Sequence, residues 1–402
     1  MKILQINSVF GQGSTGRIVA DLATQQQLAN FTPLVAYGRG PGMVAKYPVI
    51  KIGANKFNVY EHIFEERFFD NGGFASRNAT RSFVKQLTQL RPDIVHLHNL
   101  HGYYVNIELL FRKLAELKCQ VILTLHDCWT FSPQSAYIEM NDAGGLPVNV
   151  TSKSEYLEYP KTYGHFAKEL YQRKKKVFTS LPSSQVSIVT PSDWLTNLAQ
   201  HSFLKKYSIR TIHNGIDLDN FRPYSDNFLI QHYHLNNKKI ILGVANIWEP
   251  RKGLKYLNEL SEHLSADYQV VIVGRTLSET VSPKIIQIPQ TTNVQELAQI
   301  YSAADLFVNP TLADNFPTTN IESLASGTPV ITFNSGGSSE SLSAQTGRVI
   351  PKSDSQKLLE ICQSFIKTEA ISQACIAQSK RFSKDLCYQD YINLYQKIKG
   401  GK

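Results

Sequence analysis

The feature that most constrains this chain is a set of unbroken apolar runs, each short enough for one strand, alternating with segments of helical periodicity. KILQIN (2–7), PLVAY (33–37), DIVHLH (93–98), QVILTLH (120–126), VSIVTP (186–191) and SIRTIH (208–213) fill the first half. KIILGVA (239–245), YQVVIVG (268–274), KIIQIP (284–289), DLFVNP (305–310) and TPVITF (328–333) fill the second. A strand with one wet face alternates polar and apolar residues, so runs without alternation predict strands covered on both faces, the pattern of parallel sheets with crossover helices. At 402 residues the chain exceeds what one core of about 100–200 residues serves. The pattern therefore predicts an α/β protein of two doubly wound domains in tandem. The seam is expected near His213–Pro223 (HNGIDLDNFRP), giving domains 1–215 and 216–380, with 381–402 as a terminal segment. Phe382 to Ile398 spaces Leu386, Tyr391, Leu394 and Tyr395 as one face of a helix, expected to pack back toward the N-terminal domain. Ser132 to Tyr163 reads as a long loop.

Charge sorts the two halves. The net charge is +9, and residues 1–210 carry 24 Lys and Arg against 15 Asp and Glu, while the remainder balances at 18 of each. A one-sided basic field attracts phosphates. The densest basic run, Arg173–Lys176, ends a segment from Lys161 to Phe178 in which Tyr163, Phe166, Leu170 and Val177 recur at helical spacing. It reads as a helix with a solvated basic face, or as a dock for anionic lipid. The five cysteines form no CxxC pair, which argues against a disulfide framework or a structural zinc site and points to a reducing, cytoplasmic setting. MKILQINSVF lacks the order of a signal peptide, and no run approaches the roughly 18 apolar residues of a spanning helix.

Several constellations bear chemistry. Gly11, Gly13 and Gly16 (GQGSTGR) follow the first strand and precede a helix expected near Arg17, where glycines let backbone approach a diphosphate. A ribose-holding acid should follow about 20 residues later, yet the second strand ends Tyr37-Gly38-Arg39. NAD is thus disfavoured, while Arg39 leaves a 2′-phosphate, and so NADP, open. His126 with Asp127 closes the TLHDCW strand, at the sheet edge where α/β ligands bind. His96, His98 and His101 (HLHNLH) resemble a metal cluster, with His96 and His98 on one strand face, but no nearby carboxylate or cysteine completes it. Asp217 and Asp219 spell DxD at the seam, where a turn or cap is the expected use. In NIWEPRKGL, Arg251 and Lys252 stand just past a strand at a helix start, two cations facing one anion. Asp314 and Glu322, eight residues apart in DNFPTTNIESLASGTPVITFNSGG, place one carboxylate in a loop and the other about one turn into the following helix, which suits a hydroxyl-rich ligand.

Together these residues resemble glycosyltransferase family 4, and the likeness runs over nearly the whole chain. Its markers are the loop at Gly13, TLHDCW at His126, TPSDWL (Thr190–Leu195), HNGID (His213–Asp217), GVANIWEPRKGL (Gly243–Leu254) and DNFPTTNIESLASGTPV (Asp314–Val330). The strings look most like the branch containing colanic acid and capsular polysaccharide transferases. The resemblance implies a GT-B architecture, two Rossmann-like domains facing across a cleft. It also implies retaining transfer from a nucleoside-diphosphate sugar, UDP favoured, to a lipid-linked oligosaccharide or similar glycan. Lys252 and Arg251 would neutralise the leaving diphosphate, and Glu322 would accept from the ribose hydroxyls. Asp314 stands at the donor sugar where relatives carry a glutamate, and Pro317 replaces a common glycine, leaving the amides of Asn315 and Phe316, with Thr318, to hold the sugar. His126 would lie near the transferred sugar and leaving oxygen, and Gly13 and Ser14 would approach the diphosphate or acceptor. No metal or other cofactor is implied. An anionic surface at the inner face of the plasma membrane is a further expected partner, and nucleic acid is not.

Two other readings stay open: an NADP-dependent oxidoreductase using the Gly11/Gly13/Gly16 loop, and a non-catalytic nucleotide-sugar-binding protein of the same fold.

Overall fold

The computed structural model describes residues 1–53, 56–138, 162–164, 166–225, 228–277 and 279–400. The chain divides into two compact units, Met1–Ile212 with Tyr388–Lys402, and His213–Cys387. The boundary thus falls three residues before the expected one, and the return to the first unit begins at Tyr388 rather than at 381.

In the first unit, β1 (Lys2–Val9), β2 (Thr32–Arg39), β3 (Val49–Lys51), β4 (Ile94–Leu97), β5 (Gln120–Thr124), β6 (Val186–Thr190) and β7 (Ser208–Thr211) form a parallel sheet in the order β3-β2-β1-β4-β5-β6-β7. Both faces are covered, which is why the runs are apolar throughout. Leu4, Ile6, Val95, Leu97, Val121, Leu123 and Ile188 belong to one core, whereas the alternate residues Ile3, Ile94, Ile122 and Val189 belong to another. The second core is closed by the C-terminal helix, Lys384–Gly400, through Tyr388, Tyr391, Ile392, Leu394 and Tyr395. Leu386, expected on that apolar face, is instead exposed, because helical phase puts it on the face of Asp390, Asn393 and Lys397, while its neighbours Cys387 and Tyr388 are buried.

The second unit repeats the topology. β8 (Lys239–Trp248), β9 (Tyr268–Thr276), β10 (Ile285–Ile288), β11 (Leu306–Asn309), β12 (Val330–Phe333) and β13 (Gly347–Ile350) run parallel in the order β10-β9-β8-β11-β12-β13. Its faces alternate in the same way: Leu242, Val271, Phe307 and Val330 pack on one side, and Ile241, Ile272, Val308 and Ile331 on the other. Each sheet reverses direction beside its first strand, at β1/β4 and β8/β11, so each has a switch point at its carboxyl edge where doubly wound folds take ligands.

Three local expectations change. The helix after the glycine loop starts at Gly13, four residues early, so Gly13 and Ser14 form its first turn. The basic helix runs Ala167–Phe178, with Tyr163 and Phe166 outside it and half exposed. Most of the Ser132–Tyr163 loop, 139–161, lies outside the described residues.

Candidate functional site

At the carboxyl edge of the second sheet, β8 runs into a single 3-10 turn, Pro250–Lys252, and then Gly253 turns the chain into the helix Leu254–His263. Arg251 and Lys252 thus sit before that helix, not in it. Gly253 has φ +76°, and a Cβ there would meet the Pro310 carbonyl oxygen at 2.1 Å, so only glycine lets the turn lie against the end of β11. The contact is reinforced by Leu312 N donating to Arg251 O at 2.7 Å and by Arg251 Nη1 donating to Ala313 O at 3.2 Å. These bonds bring both cations onto the loop that carries Asp314. Lys252 Nζ lies 2.6 Å and Arg251 Nη1 3.9 Å from Asp314 Oδ2. Burial alone would raise the Asp314 carboxyl, but the two cations and the Lys252 hydrogen bond outweigh it and hold it below its ordinary value. The Gly336–Gly337 loop backs the same point, Gly337 N donating to Asp314 O at 3.2 Å while a Cβ on Gly336 would meet that oxygen at 1.8 Å.

From Asp314 the chain passes Asn315 and Phe316, both buried, to the helix Thr318–Ala325, whose first turn has no side-chain cap. The Phe316 ring stacks on His213, with centroids 4.8 Å apart and planes 17° apart. Glu322 accepts from the buried Tyr301 hydroxyl at 3.1 Å, which orients one carboxylate oxygen and raises the Tyr301 hydroxyl's pKa beyond what burial alone does. Arg251, Lys252, Asp314, Asn315, Phe316, Thr318 and Glu322 therefore share one sheet edge, where Lys252 pairs with Asp314 while Arg251 Nε pairs with Glu249 at 3.1 Å, so the two cations are balanced by two carboxylates. Asp219, of the DxD string, does not join them. Asp217 Oδ1 accepts from the amides of Asp219 and Asn220 and its other oxygen pairs with Lys384, the expected turn use.

The first unit builds a different edge. Gly13 and Ser14 open the helix Gly13–Leu28, where the Gly11 amide is bonded to Gly16 O at 2.9 Å and a Cβ on Gly13 would meet open space. His126 lies two residues beyond β5, its Nε2 3.1 Å from Nδ1 of His98, and the two rings stack. Burial holds His126 down to about 4, and the neighbouring His101 adds to this against the opposing Asp127. His101 turns the other way and bonds Asp127 at 2.7 Å. The three histidines of HLHNLH are therefore divided between two hydrogen-bond systems, and among the described residues no group of three or more His, Cys, Asp or Glu side chains is arranged to hold a metal.

Sequence reasoning missed the buried polar group behind His101. Lys174, read as part of a solvated basic face, is fully buried, its Nζ donating to the carbonyls of Trp129 and Ser132 and lying 4.1 Å from the Trp129 ring centroid. Burial brings its ammonium down to about 7, and the same effect pushes Glu66 up to about 7 against the pull of His101 and Lys174. Arg173 spends its guanidinium on the Phe74 ring, 3.9 Å away, and on Asn71. The missed signal was a lysine one turn from Leu170 and three residues before Val177, on the apolar face that the spacing had defined.

These two edges match known protein families in sequence. The model of "Glycosyltransferase Family 4" matches residues 15–220, just over half of the chain, and that of "Glycosyl transferases group 1" matches 238–368. The chain belongs to glycosyltransferase family 4. This glycosyltransferase is 22% identical over 416 residues to WcaC of Escherichia coli, a protein named as a colanic acid biosynthesis glycosyl transferase, covering 99% of this chain and 100% of that one. In fold it is similar to sucrose-phosphate synthase from Thermosynechococcus elongatus (TM-score 0.73, 16% identity, 100% of both chains). It is also similar to Anabaena HepE in complex with UDP-glucose (TM-score 0.68, 15% identity, 99% and 100%). Its two Rossmann-like parallel-sheet units are those of GT-B glycosyltransferases. Membership in the family sets aside hydride transfer at the Gly11/Gly13/Gly16 loop.

Proposed function

We propose that this glycosyltransferase moves a sugar, with retention, from a nucleoside-diphosphate sugar to a lipid-linked or other glycan acceptor in cell-surface polysaccharide synthesis. The observation that carries the reading is the cluster of Arg251 and Lys252 with Glu249 and Asp314, two cations held in place by two carboxylates beside an uncapped helix turn. A diphosphate seated there meets two preplaced cations whose value grows as charge develops on the leaving group. Asp314 keeps Lys252 in place and lies toward the sugar. Asn315, Phe316 and Thr318 offer amides and a hydroxyl to it, and Glu322 takes the ribose hydroxyls. In the first unit, Gly13, Ser14 and His126 are the residues offered to donor or acceptor. With no second nucleophile assigned, the leaving phosphate itself helps deprotonate the acceptor on the same face. No metal or cofactor takes part. UDP is the favoured base, in line with the UDP-glucose in HepE, and the polysaccharide assignment follows WcaC's name. Incubating the chain with UDP- and GDP-sugars and a polyprenyl-diphosphate glycan tests the reading. Sugar incorporated with the anomeric configuration kept supports it; nucleotide binding without transfer supports the non-catalytic alternative.

The proposed place of action is the inner face of the plasma membrane. Because Lys174 is buried and Arg173 is engaged with Phe74 and Asn71, the surface proposed for this contact is a different one. Tyr60, Phe64, Phe68 and Phe69 of the helix Lys56–Phe69, with Tyr163 and Phe166, are each half exposed or more. Phe64 and Phe68 rings lie 5.0 Å apart, and Phe68 lies 5.8 Å from Tyr163. Exposed aromatics, together with the exposed Lys168, Lys175 and Lys176 of the helix that follows Phe166, suit an anionic bilayer interface. Among the described residues no helix is long and apolar enough to cross a membrane. Phe64→Ser with Phe68→Ser should abolish co-sedimentation with vesicles containing anionic lipid, and unchanged binding removes this surface.

A further inference from the structure

Polar side chains inside the first sheet form one chain of hydrogen bonds, and from Gln5 to His126 its directions follow from a single fixed point. Gln5, buried in β1, points its amide nitrogen at the carbonyl of Val19 at 3.1 Å and at Gln26 Oε1 at 3.5 Å. Both of those atoms only accept, so the Gln5 amide cannot be flipped, and its Oε1 must be the acceptor facing His98 Nε2 at 3.1 Å. His98 therefore carries its proton on Nε2 and offers a bare Nδ1. That Nδ1 lies 3.1 Å from His126 Nε2, which must then be the donor. On the other side Gln26 Nε2 donates to the Tyr395 hydroxyl at 3.0 Å, that hydroxyl lies 2.7 Å from His96 Nδ1, and His96 Nε2 lies 2.8 Å from the Thr124 hydroxyl, itself 3.2 Å from that of Tyr391. Burial keeps these imidazoles neutral, His96 near 3 and His98 well below its ordinary value.

We propose that His98, Gln5 and Gln26 are positioning residues that lock His126 in its Nε2–H tautomer, with Nδ1 unprotonated. An imidazole held this way accepts a hydrogen bond from a hydroxyl at Nδ1 and has no proton there to give. Its role is thereby fixed before substrate arrives. Through Gln26 the same network reaches Tyr395 of the last helix. The role assigned to the Nδ1 rests on the proposed function, in which the sugar lies at His126; the tautomer does not.

The test uses the full chain labelled with [15N]histidine and a long-range proton–nitrogen correlation at neutral pH, with His126 assigned from His126→Gln. The expected spectrum shows His126 protonated at Nε2 and bare at Nδ1; a proton on Nδ1, or an imidazolium, overturns the relay. His98→Phe keeps the ring stack but removes the acceptor. It is expected to give a mixture of His126 tautomers and to lower kcat about 100-fold with UDP affinity unchanged, whereas His98→Asn, which keeps an oxygen near the Nδ1 position, restores most of the rate. A wild-type spectrum and rate in His98→Phe overturn the proposal. If none of UDP-glucose, UDP-galactose and GDP-mannose is turned over, the proposed function fails, and the ring spectrum still decides the relay.

Discussion

The carboxyl edges of the two sheets share a strand order and differ in how they hold polar atoms. At the first, neutral side chains are buried in a chain of directional hydrogen bonds from Tyr395 to His126, with no net charge along it. At the second, full charges stand partly exposed, Lys252 and Arg251 on Asp314, held by backbone contacts from Gly253 and Gly336. The first arrangement suits orientation of a neutral, hydroxyl-bearing group, because a neutral network gains its specificity from direction. The second suits a diphosphate, because charge attracts over distance and tolerates modest misalignment. One strand order thus carries two kinds of polar edge, and the difference lies in a handful of residues just past the strands.

Acid should separate the two edges most. His62 and His96 are held down to about 3 and His126 to about 4, so below the ordinary value near 6.5 the unfolded chain binds more protons than the folded one. Their stabilisation is complete above pH 6.5 and is lost as pH falls toward those values. His98, held well below its ordinary value, acts in the same sense, while Glu66, raised to about 7, works in the opposite direction and offsets one of the four. Between pH 6.5 and 5 the first unit is therefore expected to lose stability, at no more than about 1.4 kcal/mol per pH unit for each histidine left unmatched. Asp314, whose value is depressed, keeps its contribution until the pH falls through the carboxylate range. Amide exchange corrected for intrinsic rates should rise in β1, β4 and β5 over this interval and stay level in β8, β11 and β12; equal behaviour would erase the distinction.

Next in size is Lys252→Ala, which removes a charge aligned with the leaving group and should cost about 3 kcal/mol in transition-state stabilisation, read as kcat/KM for the nucleotide sugar. Turnover like that of wild type would take Lys252 out of the site. Glu322→Gln keeps the size of the side chain and loses its charge. It should weaken UDP about tenfold by calorimetry, close to 1.4 kcal/mol, with a much smaller shift in the ligand-free Tm. A large Tm shift alone would make the Tyr301–Glu322 contact structural. The smallest effect is expected at Asp217→Asn, whose pair with Lys384 has side chains 28% and 31% exposed and should be worth less than about 1 kcal/mol in chemical denaturation. A larger loss would show that charge outside the sheet edges also matters.

Strands covered on both faces announce themselves, and every apolar run named from the sequence is a strand. The two that escaped, β3 and β13, are edge strands of their sheets, with half-exposed residues and no continuous apolar run. The second edge was legible as PRKGL and DNFP, because its cations and carboxylate lie in contiguous strings, though the ion pair itself joins residues 62 apart and no spacing reveals it. The relay was half legible. Gln5 inside KILQIN and two histidines on one face of DIVHLH are polar atoms in strands with no wet side, and such atoms need partners. Their partners come from Gln26 and from Tyr391 and Tyr395, at the far end of the chain, so the network exists only once the last helix has packed. Lys174 was misread for a related reason, since a cation in a basic run gives no sign that the carbonyls of Trp129 and Ser132 await it.

The central claim is that the Arg251–Lys252–Asp314 edge holds a nucleoside diphosphate, and thermal shift of the wild-type chain and Lys252→Ala with UDP, GDP, dTDP and NADPH tests it most directly. One nucleoside diphosphate, at about 100 times its Kd, should add about 2.7 kcal/mol of stability to the wild type and much less to the variant. Stabilisation by NADPH alone, or an undiminished nucleoside diphosphate shift in Lys252→Ala, would contradict the account.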